Sequence, residues 1–247
     1  MAVFRSQSIV FDLFHTIADP DDFKPPTFSS PAKIAEIFGL DAKDFARYWE
    51  ETSRLRNTSR SRKPLDLVED YVTRNRGRPP TRGDLLMIDT FLGRYYDMAL
   101  ANPKSEVVVA LHNLKYNGLK LCIVANVSER EVSTWYRSPL SGLFDFAQFS
   151  YEVGYEIPSK EAFSGILGKM GSSPASAVYV SGGVMGDLHC AKELGFGMTV
   201  LMEGFLRKHR LKSEPDLSEM EKSADACIQR ISELEETLLR VAPTASR

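Results

Sequence analysis

Asp12 closes an apolar run, Ile9-Val10-Phe11, of the kind that forms a strand buried on both faces of a parallel sheet. A charge in that place needs a reason. Ligands of open α/β sheets lie beyond the carboxyl ends of the strands, so this carboxylate is placed for chemistry. It can equally do no more than cap the turn that follows. His15 stands three residues on and changes charge near neutral pH, so an Asp12/His15 acid–base pair is open beside a structural role for the histidine. Farther along, Asn126 follows a second apolar run, Leu119 to Ala125, and Asp187 follows the glycine-rich stretch Ser181 to Gly186. Asn126 stands at a strand end, and Asp187 opens the helix expected after the strand that ends at Ser181.

These residues depend on elements that the pattern also predicts. After the first strand, Asp19-Pro20-Asp21-Asp22-Phe23-Lys24-Pro25-Pro26 is a turn-rich exit, because its prolines continue neither a helix nor a central strand. Four helices are then predicted: one opened by Ser30-Pro31 and closed by Gly39, one over 41–56, one over 65–74 and one over 81–100. From Pro103 the pattern becomes strand–helix alternation. Strands are expected at 119–126, 146–149, 177–181 and 198–202, with helices at 107–117, 129–136, 159–170 and 187–194. The tail, 213–239, reads as helical and packed on the core through Ile228, Ile231, Leu234 and Leu238.

The expected architecture is therefore α/β, a doubly wound (Rossmann-like) core of residues 1–18 and 103–247 carrying an inserted all-helical cap of residues 19–102. Within the helical block Arg54, Arg56, Arg60, Arg62 and Lys63 form a basic run. Such runs usually face water, but an arginine here can also clamp a substrate carboxylate or phosphate bidentately.

Composition narrows the class of function. The chain has 247 residues, 43% of them hydrophobic, and a formal net charge of −2, which gives no reason to expect nucleic acid or an anionic membrane as partner. Three cysteines, widely spaced and without a C-x-x-C pair, fit neither a disulfide framework nor a zinc site. No run of about eighteen apolar residues occurs, and the N-terminus lacks an export pattern, so a cytoplasmic protein is expected.

Val10-Phe11-Asp12-Leu13-Phe14-His15-Thr16 resembles the first motif of the haloacid dehalogenase (HAD) superfamily, in which a strand leads to Asp, x, Asp, x, Thr. The resemblance implies that Asp12 is the nucleophile and that Thr16 keeps its place, while Phe14 stands where the phosphatases carry a general acid/base. Val124-Ala125-Asn126-Val127-Ser128 is similar to the second motif, with Ala125 at the hydroxyl position, Asn126 left as a donor and Ser128 as substitute or helix cap. Glu152-Val153-Gly154-Tyr155-Glu156-Ile157-Pro158 resembles the third, with Ile157 where a lysine belongs and Lys160 three residues later. In Ser181-Gly182-Gly183-Val184-Met185-Gly186-Asp187 the resemblance places Gly182 at one metal-binding acid and Asp187 at the other. It implies a cap that closes over the site.

With Phe14, Ala125, Ile157 and Gly182 at four of the usual catalytic positions, magnesium would find at best a weak site, and no cofactor is expected. An apolar lining of Phe14, Ala125 and Ile157 would desolvate Asp12. The leading expectation is a metal-independent enzyme using Asp12 on a small organic metabolite. It is assisted by His15, Asn126 and Asp187, with Thr16, Arg54, Arg56 and Lys160 near the substrate. Two alternatives stand beside it: an inactive relative that binds a metabolite or protein, and a conventional phosphatase with compensating residues. Oligomeric state does not follow from these residues.

Overall fold

The computed structural model describes residues 7–182 and 184–241. Six parallel strands form one sheet: β1 (Ser8–Phe11), β2 (Lys120–Ala125), β3 (Phe146–Phe149), β4 (Ala177–Ser181), β5 (Met198–Met202) and β6 (Ala226–Ile228), in the order β3-β2-β1-β4-β5-β6. The strands are apolar on both faces, and successive residues feed two different cores. Ile9, Phe11, Ile123, Val178, Val180 and Val200 join one, and Val10, Cys122, Val124, Tyr179 and Leu201 join the other. That is what a parallel sheet covered by helices on both sides requires. The strand order reverses between β1 and β4, which opens the crevice in which Asp12 lies.

Between β1 and β2 comes a helical segment consistent with a cap: α1 (Ser30–Phe38), α2 (Ala42–Glu51), α3 (Ser53–Thr58), α4 (Pro64–Arg76) and α5 (Arg82–Ala101). Ile34, Phe38, Phe45, Val68, Val72 and Ile88 give it an apolar cluster of its own, while Ala99 and Leu100 at the end of α5 join the core of the sheet. The rest of the helical layer is α6 (Ser105–Tyr116), α7 (Ser150–Val153), α8 (Lys160–Met170), α9 (Asp187–Glu193), α10 (Gly204–His209), α11 (Glu214–Ser223) and α12 (Leu234–Val241).

Three predicted elements differ. The helix expected over 41–56 is two, because at Thr52 the hydroxyl donates to the carbonyls of Tyr48 (2.8 Å) and Trp49 (3.3 Å), and the chain turns there. The helix expected over 129–136 is a run of tight turns, closed by i to i+3 bonds such as Trp135 N to Val132 O (2.9 Å), with Pro139 preventing any extension. The tail is not helical throughout: Ala226–Ile228 pairs in parallel with β5 and extends the sheet. Its apolar residues Ile228, Ile231, Leu234 and Leu238 do pack on the core. No helix among the described residues is long and apolar enough to cross a membrane.

Candidate active site

The ends of β1, β2 and β4 bring Asp12, Ala125, Asn126 and Ser181 to one edge of the sheet. Asp12 continues the β1–β4 ladder through its N–H to Val180 O (3.0 Å), which fixes its backbone, and it is only 5% exposed. Its Oδ1 accepts the N–H of Leu13 (2.8 Å), and no other described group donates to the carboxylate. Burial, and then the charge of Asp187, hold the Asp12 carboxyl well above the usual carboxylate range, against the single opposing hydrogen bond from Leu13. No cation takes part.

Asp187, at the first turn of α9, is 1% exposed. Its Oδ2 accepts the hydroxyls of Tyr179 (2.9 Å) and Ser181 (2.5 Å), and its Oδ1 accepts the N–H of Leu188 (2.6 Å). Burial pushes its carboxyl up to about 6 despite those donors. In the folded protein these two acids retain protons to higher pH than ordinary carboxylates do.

Thr16 joins two of the strand-end loops, since its Oγ1 accepts the N–H of Gly182 (2.9 Å). Asn126 serves its neighbour rather than the crevice: its Nδ2 donates to Ile157 O (2.5 Å) and its Oδ1 accepts Ile157 N–H (2.8 Å). Both ends of that amide are spent on positioning the Ile157 loop. Ile157 and Ala125 are 2% exposed in the two apolar cores. Phe14 is half-buried and meets the ring of Tyr96 edge-on, with centroids 4.9 Å apart.

His15 does not pair with Asp12. It adopts a left-handed backbone (φ 58°), and its half-buried imidazole places Nε2 2.8 Å from Asp21 Oδ2. Histidine tolerates that conformation better than most side chains. Lys160, at the start of α8, is exposed and makes no ion pair with Asp12 or Asp187, so it does not stand in for the lysine that Ile157 replaces. Arg54 is exposed as well, whereas Arg56 turns inward.

Arg56 lines a cavity of about 150 Å³ between the helical segment and the loop after β2, together with Trp49, Leu92, Tyr96, Ser128 and Glu131. Its guanidinium lies 3.9 Å from the centroid of the Trp49 ring. Glu131 Oε2 accepts both the N–H (2.6 Å) and the hydroxyl (2.8 Å) of Ser128, so the predicted capping exchange forms although the helix does not. Glu131's charge and burial keep the Tyr96 phenol well above its ordinary range, so Tyr96 remains a hydrogen-bond donor.

Sequence reasoning singled out neither Tyr96 nor Glu131 as a site residue. Tyr96 sits in an apolar helical stripe that gives no signal, and Glu131 was visible only as a capping partner.

Arg130 was also missed, and here a signal existed. Asp89, Gly93 and Asp97 recur every four residues along one face of α5. The Arg130 guanidinium fills the trough left by the missing Gly93 side chain, where any Cβ would overlap it. It binds Asp97 through two bonds (2.9 and 3.1 Å) and Asp89 Oδ2 at 3.0 Å, which ties the helical segment to the loop after β2. Arg130→Ala is expected to lower stability by about 1–2 kcal/mol, since it deletes charge-assisted bonds that are only partly shielded from water. Urea unfolding of the two proteins measures the difference.

Magnesium, which the family resemblance implies, requires several hard oxygens in near-octahedral array. Asp187 already spends both oxygens on hydroxyl and backbone donors. Among the described residues no third potential ligand joins Asp12 and Asp187. The two described clusters of metal-ligating type are elsewhere, at His15/Asp19/Asp21 and Asp19/Asp22/His209, and there Lys24, Lys104 and Lys208 pair with the carboxylates. The donors described around Asp12 do not fit the ion.

The sequence model described as haloacid dehalogenase-like hydrolase matches residues 6–201. No curated protein matches significantly. Among solved structures, the L-2-haloacid dehalogenase RSc1362 is 21% identical with a TM-score of 0.59, over 94% of this chain and 98% of that one. The L-2-haloacid dehalogenase from Xanthobacter autotrophicus is 17% identical with a TM-score of 0.58, over 96% and 99%. A HAD phosphatase from Thermococcus onnurineus is 19% identical with a TM-score of 0.61, over 94% and 97%. At these identities the structural likeness is one of fold.

Proposed function

The chain belongs to the haloacid dehalogenase-like hydrolase family, and from that premise we propose that it is an enzyme in which Asp12 acts without a metal, as nucleophile or general base on a small organic substrate. In this reading residues 19–102 are a cap and residues 1–18 with 103–247 are the core, with the substrate held between them. The observation that carries it is the environment of Asp12: a buried carboxylate beside a second buried carboxylate, with no lysine, arginine or third acid in contact among the described residues.

Such a site disfavours a phosphate ester. A dianion brought beside Asp12 and Asp187 would add charge where nothing neutralises what is already present. A neutral or zwitterionic substrate meets no such barrier, and a desolvated carboxylate of raised pKa is a stronger base than one in water. Asn126 and Thr16 act as positioning residues, one for the Ile157 loop and one for the loop after β4. Phe14 and Ile157 help keep water from the carboxylate, and His15 lies beside the site rather than in it. Phe14 supports carbon-centred chemistry over phosphoryl transfer, since it stands where the acid that would serve a leaving alkoxide is expected.

A release assay on p-nitrophenyl phosphate tests the reading. Background phosphate release is expected with and without magnesium. A robust magnesium-dependent rate would make the protein a conventional phosphatase and end the proposal.

The retained Asp12 weighs against an inactive binding module. A buried, nearly unpartnered acid costs stability, and a site with no chemistry gains nothing from keeping it.

A further inference from the structure

The cavity between the helical segment and the loop after β2 has on its wall a cation, Arg56, and an anion, Glu131, that do not pair. Arg56 uses Nη1 alone, which donates to Trp49 O and to Thr52 Oγ1 (3.0 Å); its Nε and Nη2 meet no acceptor among the described residues. Glu131 accepts the Ser128 N–H and hydroxyl through Oε2, and its carboxylate also accepts the Tyr96 hydroxyl. Each acts on the other through space, yet no ion pair joins them. Arg130, the other cation on the wall, is fully engaged by Asp89 and Asp97. Opposite charges held apart in a partly open cleft lose part of their hydration without gaining each other, a cost that a bridging ligand would offset.

We infer that this cavity is a subsite for a small zwitterion, a free amino acid, whose carboxylate is held by the open Nε–Nη2 edge of Arg56 and whose ammonium is held by Glu131. It rests on reading the cleft as the place where substrate binds. A guanidinium edge with two parallel N–H groups matches a carboxylate bidentately. A carboxylate offers about four lone-pair sites, so Glu131, which accepts Ser128 and Tyr96, still has capacity for an ammonium. A simple carboxylate would satisfy Arg56 and leave its alkyl group against Glu131; a simple amine would do the reverse. Trp49, Leu92 and Pro64 supply apolar walls for the carbons between the charges.

Calorimetric titration of the full-length protein tests this with glycine, β-alanine and 4-aminobutyrate, whose charges stand progressively farther apart, and with propionate and propylamine as single-charge controls. At least one amino acid is expected to bind about tenfold or more tighter than either control, as one additional charge-assisted contact provides. E131Q should erase the advantage over propionate while leaving propionate binding unchanged, and R56Q should weaken the amino acid and propionate alike. Should a variant fail to fold, the comparison of amino acids with controls on the parent protein decides. Equal affinity for propionate and every amino acid, or a preference that survives E131Q, overturns the subsite. Amino-acid binding with no turnover of any substrate would leave the subsite standing and sink the Asp12 chemistry. Turnover without amino-acid binding would do the opposite.

Discussion

Asp12→Asn is expected to abolish turnover and to flatten the dependence of stability on pH. The loss of turnover follows because the amide is neither a nucleophile nor a base, while its oxygen can still accept the Leu13 N–H that Asp12 accepts now. The pH effect follows from linkage. A carboxyl whose pKa is raised by folding binds its proton more tightly in the folded state than in the unfolded one. Stability is therefore highest at low pH and falls as pH rises from the unfolded value through the folded one. For Asp187 that window runs from 3.8 to about 6. Fully deprotonating it costs the fold about 3 kcal/mol, at 1.36 kcal/mol per pKa unit. Asp12 is shifted the same way, and the two repel each other when both are charged.

D12N removes its own contribution and relieves Asp187, so urea unfolding between pH 4 and pH 8 should show a shallower decline than in the parent. An unchanged slope would mean that Asp12 is not buried as a titrating group.

The second large effect is at Gly182, where Ala or Asp is expected to lower stability by about 3 kcal/mol or more, or to prevent folding. A Cβ there would lie 2.5 Å from Met202 O and closer still to His15 O. Both obstacles are backbone, one at the end of β5 and one in the loop after β1, so neither yields as a side-chain tip would. The same N–H that Gly182 donates to Thr16 holds these loops together. An acid cannot be restored at this position by simple substitution. Thermal unfolding of G182A against the parent gives the result, and a melting temperature within a degree of the parent would contradict the packing described.

The fold was legible because its signals are local and repeated. Apolar four- to six-residue runs alternating with helical patterns dictate a parallel sheet, and motifs spaced along the chain place Asp12 and Asn126 at strand ends and Asp187 at the start of the helix after β4. What escaped was set by distant partners. The turns over 129–136 replace a helix in a segment whose Arg130 reaches across to α5, a contact no window of sequence contains. The strand Ala226–Ile228 exists because β5 presents an open edge, and its three residues carry no strand pattern of their own.

Among site residues, the burial of Asp12 and its closeness to Asp187 followed from motif order. The diversion of His15 to Asp21 and of Asn126 to Ile157 did not, because both depend on where a loop folds back. Tyr96 and Glu131 became visible only when the helical segment was set against the core.

The central claim is that Asp12 does chemistry without a metal. Its most direct test is turnover of a panel of small 2-substituted carboxylic acids, amino acids and esters by the parent protein and by D12N, both in excess EDTA. The account predicts turnover of at least one member by the parent in EDTA and none by D12N. Activity that vanishes with EDTA and returns with magnesium, or that D12N retains, would contradict it.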